Sequence, residues 1–202
     1  MGYGMHVATP PSITNLIPAL DWEQVWAPYD MPTYQAVLAH IRPTDVVLEI
    51  GAGDLRLARL LAQQARWVYA VEQNQKVLPN MAKTAVPANL RVFCADARTF
   101  PIPADVTVAV LLMRHCRHFA HYANRLAACG CGRLITNARW RMNVEVIDLQ
   151  TTRQSFTAVS LGWYACWCGT VGFVSGLAEH LTPDIEAHIH EVAFCPTCTE
   201  IL

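Results

Sequence analysis

Charge is scarce in this sequence of 202 residues: 15% of positions are Asp, Glu, Lys or Arg, while 53% are hydrophobic. Fifteen basic against sixteen acidic residues leave a net charge of -1 with His neutral, so no global basic field draws in nucleic acid. A local basic patch is compatible with that balance. Long hydrophobic runs are also missing. A membrane-spanning helix needs about 20 apolar residues, and the longest run here, Val106 to Met113, has the length of a strand. The N-terminus (MGYGMHVATPP) lacks the basic-then-apolar order of a secretory signal, and His6 stands where a myristoylation motif wants Ser or Thr. These absences predict a soluble, cytoplasmic protein without a membrane partner. The composition likewise excludes collagen-like, disordered and coiled-coil chains, and the length suits one well-buried domain with a small appendage. There is no internal repeat or low-complexity tract.

Turning to what is present, residues 1 to 30 carry Pro10, Pro11, Pro18 and Pro28 with Trp22, Trp26 and Tyr29, and read as an irregular arm. From Thr33 the pattern becomes regular. Tyr34, Val37, Leu38 and Ile41 lie on one helical face, with Thr33 as a candidate cap and Pro43 beyond the end. Val46 to Ile50 then reads as a buried strand, and Leu57, Leu60 and Leu61 mark a helix. Trp67 to Val71, ending at Glu72, is the next strand. From Val46 to Glu72 this strand, turn, helix and strand occupy 27 residues, the size of a βαβ crossover. The alternation continues through a helix at Lys76 to Thr84 and strands at Leu90 to Cys94 and Val106 to Met113. A helix carrying Phe119, Tyr122, Ala123 and Leu126 follows, then a strand at Arg133 to Asn137. Such alternation predicts an α/β fold, a doubly wound and mostly parallel sheet with helices on both faces. After Trp140 the rhythm breaks, and Val144 to Leu149 fits a strand or a helix. The predicted units are therefore 1 to 30, 31 to 142 and 143 to 202.

The turn Gly51-Ala52-Gly53 sits between the first strand and its helix, where Gly permits positive φ and close approach of a ligand to the backbone. A dinucleotide site wants GxGxxG and a pyrophosphate at the helix N-terminus. Here Asp54, Leu55 and Arg56 follow the second Gly, so the third Gly is absent, and Asp54 puts negative charge where the pyrophosphate belongs, which disfavours NAD. Glu49, inside the apolar first strand, wants a cation or a donor, because an unpaired buried charge is costly. Glu72 ends the second strand, 23 residues after Glu49, where a carboxylate accepts the hydroxyls of a ribose. Asp96 ends the third strand in the run CADAR.

The segments VVLEIGAG, VYAVEQN and FCADAR resemble the cofactor-binding half of class I S-adenosylmethionine-dependent methyltransferases, and most of all the rRNA adenine dimethylases. The resemblance implies a Rossmann-like fold in which Gly51, Ala52 and Gly53 line the methionine portion of S-adenosylmethionine. It further implies that Glu72 and Gln73 meet the ribose, that Asp96 and Ala97 meet the adenine, and that Glu49 orders the glycine loop or meets the cofactor's amino group. It also implies RNA as the acceptor. The adenine dimethylases carry an Asn-x-Pro-Tyr type motif at the end of the fourth strand, and VLLMRH stands there instead. A methyltransferase-like binding module without turnover, contacting RNA or protein, is the alternative that this departure leaves open.

Cysteine supplies a second signal, since eight Cys in a cytoplasmic chain point to metal ligands or buried thiols rather than a disulfide framework. Cys166 and Cys168 (WYACWCG) and Cys195 and Cys198 (FCPTC) form two tight pairs. Four thiolates from two turns suit a tetrahedral, closed and therefore structural zinc ion, and the segment resembles a zinc ribbon. A redox pair at CPTC and four buried thiols are the alternatives. Cys129 and Cys131 read as loop or buried thiols, and His180, His188 and His190 as spare donors between the pairs. Around the end of the fourth strand, RHCRHFAHY places Arg114 and His115 as candidate catalytic residues: a cation to face the acceptor and an imidazole to take its proton. His118 and His121 read as polar helix residues. Arg133, Arg139 and Arg141 are expected to extend a positive rim on that side.

Overall fold

The computed structural model describes residues 27–79, 85–114, 116–139 and 143–199. Helix α1 (Met31–Leu38) is capped not by Thr33 but by Asp30, whose side chain accepts the Thr33 N–H at 3.0 Å. Asp30 precedes a Pro in the first turn, so the helix starts earlier than the apolar period alone indicates. Strand β1 (Val46–Ile50) is buried throughout and lies at the centre of a six-stranded sheet. Helix α2 (Arg56–Gln64) and strand β2 (Trp67–Glu72) complete the crossover.

Strands β3 (Leu90–Cys94) and β4 (Val108–Leu111), helix α3 (Phe119–Ala128), strand β5 (Arg133–Thr136) and strand β6 (Glu145–Asp148) follow. The spatial order is β3-β2-β1-β4-β5-β6; the first five strands run parallel and β6 antiparallel to β5. The residues Lys76–Pro79 form turns instead of the expected helix, because the Asn74 carboxamide oxygen accepts the Lys76 N–H at 3.0 Å and Pro79 interrupts a helical run. The rest of that span lies outside the described residues, as does nearly all of the N-terminal arm. Strand β6 begins beyond residue 142, where the rhythm changes, and still belongs to this sheet.

Both faces are covered, as the alternation predicts. Val47, Val108, Val110 and Ile135 pack against α1 and α2 through Val37, Leu57 and Leu61. On the opposite face Leu48, Ile50, Ala109, Leu111 and Leu134 meet Phe119, Tyr122 and Leu126 of α3. Because the order reverses at β1, which is flanked by β2 and β4, a crevice opens at the carboxyl ends of the central strands. The opposite edge is tied by Asp45, whose carboxylate takes the Arg133 guanidinium at 2.7 and 2.9 Å and the Thr107 hydroxyl at 3.1 Å.

Strands β7 (Gly162–Cys166) and β8 (Val171–Val174), the short helix α4 (Pro183–Ala187), strand β9 (Ile189–Val192) and the short helix α5 (Pro196–Thr199) build a second, three-stranded sheet. Its order is β8-β7-β9, with β7 and β8 an antiparallel hairpin. The Cys-bearing strands thus form their own sheet rather than continuing the first. Arg139 joins the two. Its guanidinium is buried and pairs with Glu145 of β6 (3.1 Å) and Glu191 of β9, donates to the Cys166 carbonyl at 3.4 Å, and lies 5.4 Å over the Phe119 ring. Arg153 stacks 3.6 Å over Trp167, whose indole N–H donates to Asn124 of α3. Among the described residues no helix is long and apolar enough to cross a membrane.

Candidate functional site

The glycine turn is laced to β2. Gly51 and Ala52 both donate their N–H groups to the Val71 carbonyl, at 2.9 and 3.0 Å, and Gly53 donates to a carboxylate oxygen of Glu72 at 2.9 Å. The other Glu72 oxygen accepts the Asn74 N–H at 2.7 Å. Two backbone bonds hold this buried carboxylate in place and leave about two of its four lone-pair positions for a ligand. Gly51 and Gly53 adopt φ of +75° and +54°, the left-handed conformations that call for Gly.

Leu55 is the exception, with φ of +68° in a non-Gly residue at the N-cap of α2. Its side chain is fully buried in the core beneath the turn. Burial of a large aliphatic group, worth about 1.5–3 kcal/mol, offsets a left-handed cost of about 1–2 kcal/mol. The absent Gly therefore changes how the helix is anchored. Asp54 accepts the Arg56 N–H at 3.2 Å and pairs with the Arg56 guanidinium at 2.6 Å, so a carboxylate already occupies the start of α2. That supports the argument against a pyrophosphate.

Glu49 is buried on β1, level with Ala70 of β2 and Val110 of β4. Burial, with Glu72 and Asp54 adding repulsion, pushes its carboxyl pKa up to about 8. Its Oε2 has no hydrogen-bond partner among the described residues. Tyr34 of α1 reaches the same group of carboxylates: its hydroxyl pKa is raised by burial and further by Asp54 and Glu49. A buried acid with a free oxygen suits a positively charged ligand, and so fits the sulfonium and ammonium of S-adenosylmethionine.

Asp96 and Ala97 follow β3 at the same edge of the sheet, and Gln73 is exposed just after β2. Asp96 is held by the Arg98 guanidinium through side-chain contacts of 3.0, 3.0 and 2.8 Å, which keep its carboxyl below the usual range. Arg125 of α3 donates to the carbonyls of Ala97 and Arg98, each at 2.8 Å, and to that of Phe100. Reading the sequence did not single out Arg98, Arg125 or Asn74: Arg125 and Asn74 act through backbone contacts that the fold creates, and Arg98 through its side chain on the neighbouring Asp96. Nor did it single out Asn137, directly after β5, whose side chain is wholly buried and whose Oδ1 and Nδ2 both lack partners among the described residues. A polar residue at the carboxyl end of an apolar strand was the available signal.

Of the candidate catalytic pair, Arg114 is exposed beyond β4, its N–H donating to the Tyr29 hydroxyl at 3.3 Å and its guanidinium 5.3 Å over that ring. His115 lies outside the described residues. His121 contacts the Arg98 carbonyl at 2.9 Å, and His118 is the N-cap residue of α3. The expected positive rim does not form from Arg133 and Arg139: the first belongs to the opposite edge with Asp45, and the second is buried between the sheets. Short strands reverse the reach of such residues, since Arg133 begins its strand. Arg141 lies outside the described residues.

The two cysteine pairs do come together. Cys166 ends β7, Cys168 follows in the hairpin turn, and Cys195 and Cys198 lie at the start of α5. All four sulfurs are within 4.8 Å of one another, with Cys166 to Cys198 at 3.5 Å, Cys168 to Cys195 at 3.7 Å and Cys195 to Cys198 at 3.8 Å. A tetrahedron with Zn–S bonds of about 2.3 Å has edges of about 3.8 Å. Burial drives the Cys166 thiol pKa upward, so a thiolate there requires a cation. All four cysteines are free thiols. His190 is not in the group; its ring contacts the Gln154 amide at 2.8 Å. Cys131 is a buried thiol with a pKa pushed up to about 11 by burial, as expected for a packing residue.

The parallel sheet with its switch at β1, the glycine turn and the acids ending β2 and β3 define a class I S-adenosylmethionine-dependent methyltransferase fold. Residues 32–128 match the ribosomal RNA adenine dimethylase family. Ribosomal RNA small subunit methyltransferase A of Rubrobacter xylanophilus is 40% identical over 72 residues, 35% of this chain and 28% of that protein. Among solved structures, the 23S rRNA methyltransferase ErmE is similar at 24% identity and a TM-score of 0.47, over 54% of this chain and 46% of that one. A dimethyladenosine transferase from Plasmodium falciparum is similar at 19% identity and a TM-score of 0.46, over 53% and 41%. Across these residues the chain is similar to the rRNA adenine dimethylases, and its fold is of the class I S-adenosylmethionine-dependent methyltransferase type. It spans 28% of the length of that curated relative.

Proposed function

We propose that the protein transfers a methyl group from S-adenosylmethionine to RNA. The observation that carries this reading is the buried Glu49 carboxyl with its free oxygen, set beside a glycine turn that Glu72 holds in shape. Glu49 attracts the cofactor's positive end, Gly51, Ala52 and Gly53 allow close approach, and Glu72 with Gln73 accepts the ribose hydroxyls. Asp96 and Ala97, braced by Arg98 and Arg125, border the adenine. Once bound, the cofactor supplies an electrophilic methyl group that passes to an acceptor lone pair as the carbon–sulfur electrons return to sulfur. Positioning of the acceptor supplies most of the rate, and Arg114 with His115 is assigned to the acceptor side. The four cysteines hold one zinc ion in a closed, structural site.

Thermal-shift and calorimetric titration with S-adenosylhomocysteine, run against NAD, test the cofactor reading. Stabilisation by the first alone is expected, and it is lost in Glu72→Ala; stabilisation by NAD alone removes the proposal. A second reading, a binding module without turnover, draws on the sequence Leu112-Met113-Arg114 at the end of β4, where relatives of this kind carry polar groups. Cofactor binding with no label transferred from S-adenosylmethionine to ribosomal RNA supports that alternative.

A further inference from the structure

We infer that the carboxamide of Asn137 is the group that holds the methyl acceptor, by pairing with the donor–acceptor edge of a nucleobase. The inference rests on the methyltransferase reading and adds to it a residue at the acceptor. It begins from an anomaly of burial. Asn137 is 0% exposed, yet neither Oδ1 nor Nδ2 finds a partner among the described residues. Buried polar groups are almost always paired, because an unmade hydrogen bond in the interior costs stability. Arg59 and Glu191, which also have an unpaired atom, bond through another: Arg59 reaches the Ala85 carbonyl and Glu191 pairs with Arg139. Asn137 has a donor and an acceptor, and among the described residues neither is paired.

Its place in the sheet says what such a group faces. Ile50, Leu111 and Thr136 form one row across β1, β4 and β5. Asn137 comes one residue beyond that row toward the carboxyl edge, as Gly51 does on β1 and Leu112 on β4. The pleat puts Asn137 on the face of Ile135, the same face as Val110 and Glu49. Glu72 and Asp96 lie on the other side of β1, in the β2 and β3 half. The cofactor groups and Asn137 therefore flank the switch point from opposite sides. Arg139, two residues on, is pinned by Glu145, Glu191 and the Cys166 carbonyl, which anchors the segment that carries the amide.

A neutral carboxamide is a poor match for a sulfonium or a carboxylate. It matches a base edge, where an N–H donor sits beside a ring nitrogen or carbonyl acceptor, and it pairs there in bidentate fashion. The strand β4 end, which is Leu112-Met113-Arg114, offers no such group in its side chains. On this chain the amide stands one strand over.

The test uses the full-length, metal-loaded protein and the variant Asn137→Leu. Thermal unfolding and calorimetry with S-adenosylhomocysteine come first: the melting temperature is expected to hold or rise, and the cofactor affinity to stay within about twofold. Fluorescence anisotropy then follows a short single-stranded RNA carrying one adenosine, and the same RNA with an abasic residue there, at saturating S-adenosylhomocysteine. The wild type is expected to lose about tenfold or more in affinity on the abasic RNA. Asn137→Leu should show that loss already on the intact RNA and little further loss on the abasic one. A lower melting temperature for Asn137→Leu identifies a structural amide and overturns the inference. Independent, additive losses overturn it as well. If wild-type protein fails to bind S-adenosylhomocysteine, the methyltransferase reading falls and this inference with it; normal cofactor binding with an unaffected RNA response removes this inference alone.

Discussion

The six-stranded sheet buries aliphatic residues on both faces, from Val47, Val110 and Ile135 on one side to Leu48, Leu111 and Leu134 on the other. Among the described residues, the core of the three-stranded sheet is a cluster of the buried Val159, Cys166, Val192 and Cys195, and two of these are members of the sulfur cluster. The first unit has enough apolar area to hold itself together. The second is small for that; its four clustered sulfurs and its attachment to the first through Arg139 are what it has in addition. The two parts of the same chain are therefore expected to be sensitive to different perturbations.

The largest effect is expected from the zinc ion proposed for the four cysteines. Chelation, or Cys166→Ser, should unfold the three-stranded sheet while the methyltransferase sheet persists, giving two transitions in calorimetry and loss of about one zinc per chain by metal analysis. A single cooperative transition unaffected by chelator contradicts the contrast.

Next in size is the joint between the sheets. Arg139→Met leaves Glu145 and Glu191 without their buried cation and should cost about 3–5 kcal/mol, read as a fall in denaturant midpoint, with amide exchange rising first in β7 and β9. Equal loosening of β1 and β4 means that the sheets share one core.

Within the larger sheet, Leu55→Ala should cost about 2–4 kcal/mol by emptying a fully buried site. Leu55→Gly should be more stable than Leu55→Ala by about 1 kcal/mol, because Gly alone relieves the positive φ. The reverse order shows that the backbone relaxes once the side chain is gone.

A further effect is in pH. Glu49 titrates near 8 in the fold against an ordinary value of 4.5, so the folded state holds a proton that the unfolded chain has released. Stability without ligand should fall as pH rises from about 5 to about 8, and Glu49→Gln should flatten that slope. A cation bound beside Glu49 favours its ionised form, so S-adenosylmethionine should bind more tightly with rising pH and release a proton, measurable by calorimetry in buffers of different ionisation enthalpy. Slopes that are the same in wild type and Glu49→Gln remove Glu49 from the site.

Much of this was legible beforehand. Val46 to Ile50, the Gly51 turn and the acid at Glu72 form a local grammar: each residue type is required by a bond or backbone angle made within 30 residues or so, and the sequence motif carries it. The Cys pairs were legible for the same reason, since two short turns with thiols have few uses. The apolar period that starts at Thr33 marks that residue as a cap, but the Asp30 carboxylate, three residues earlier, accepts the Thr33 N–H and starts the helix there. Arg133 and Arg139 were misplaced because a charge near a strand does not say which edge of the sheet that strand presents, or whether a second sheet covers it.

The order of apolar runs, glycines, strand-end acids and cysteines by itself determined the parallel sheet, the likeness to the methyltransferase fold and the two sulfur pairs, since each follows from contacts between near neighbours. Only the tertiary structure decided that β6 closes the first sheet, that Arg139 lies buried between carboxylates from two sheets, and that Asn137 is enclosed without a partner among the described residues. Those outcomes depend on segments separated by tens of residues, and burial at such a distance is a property of packing that no local pattern encodes.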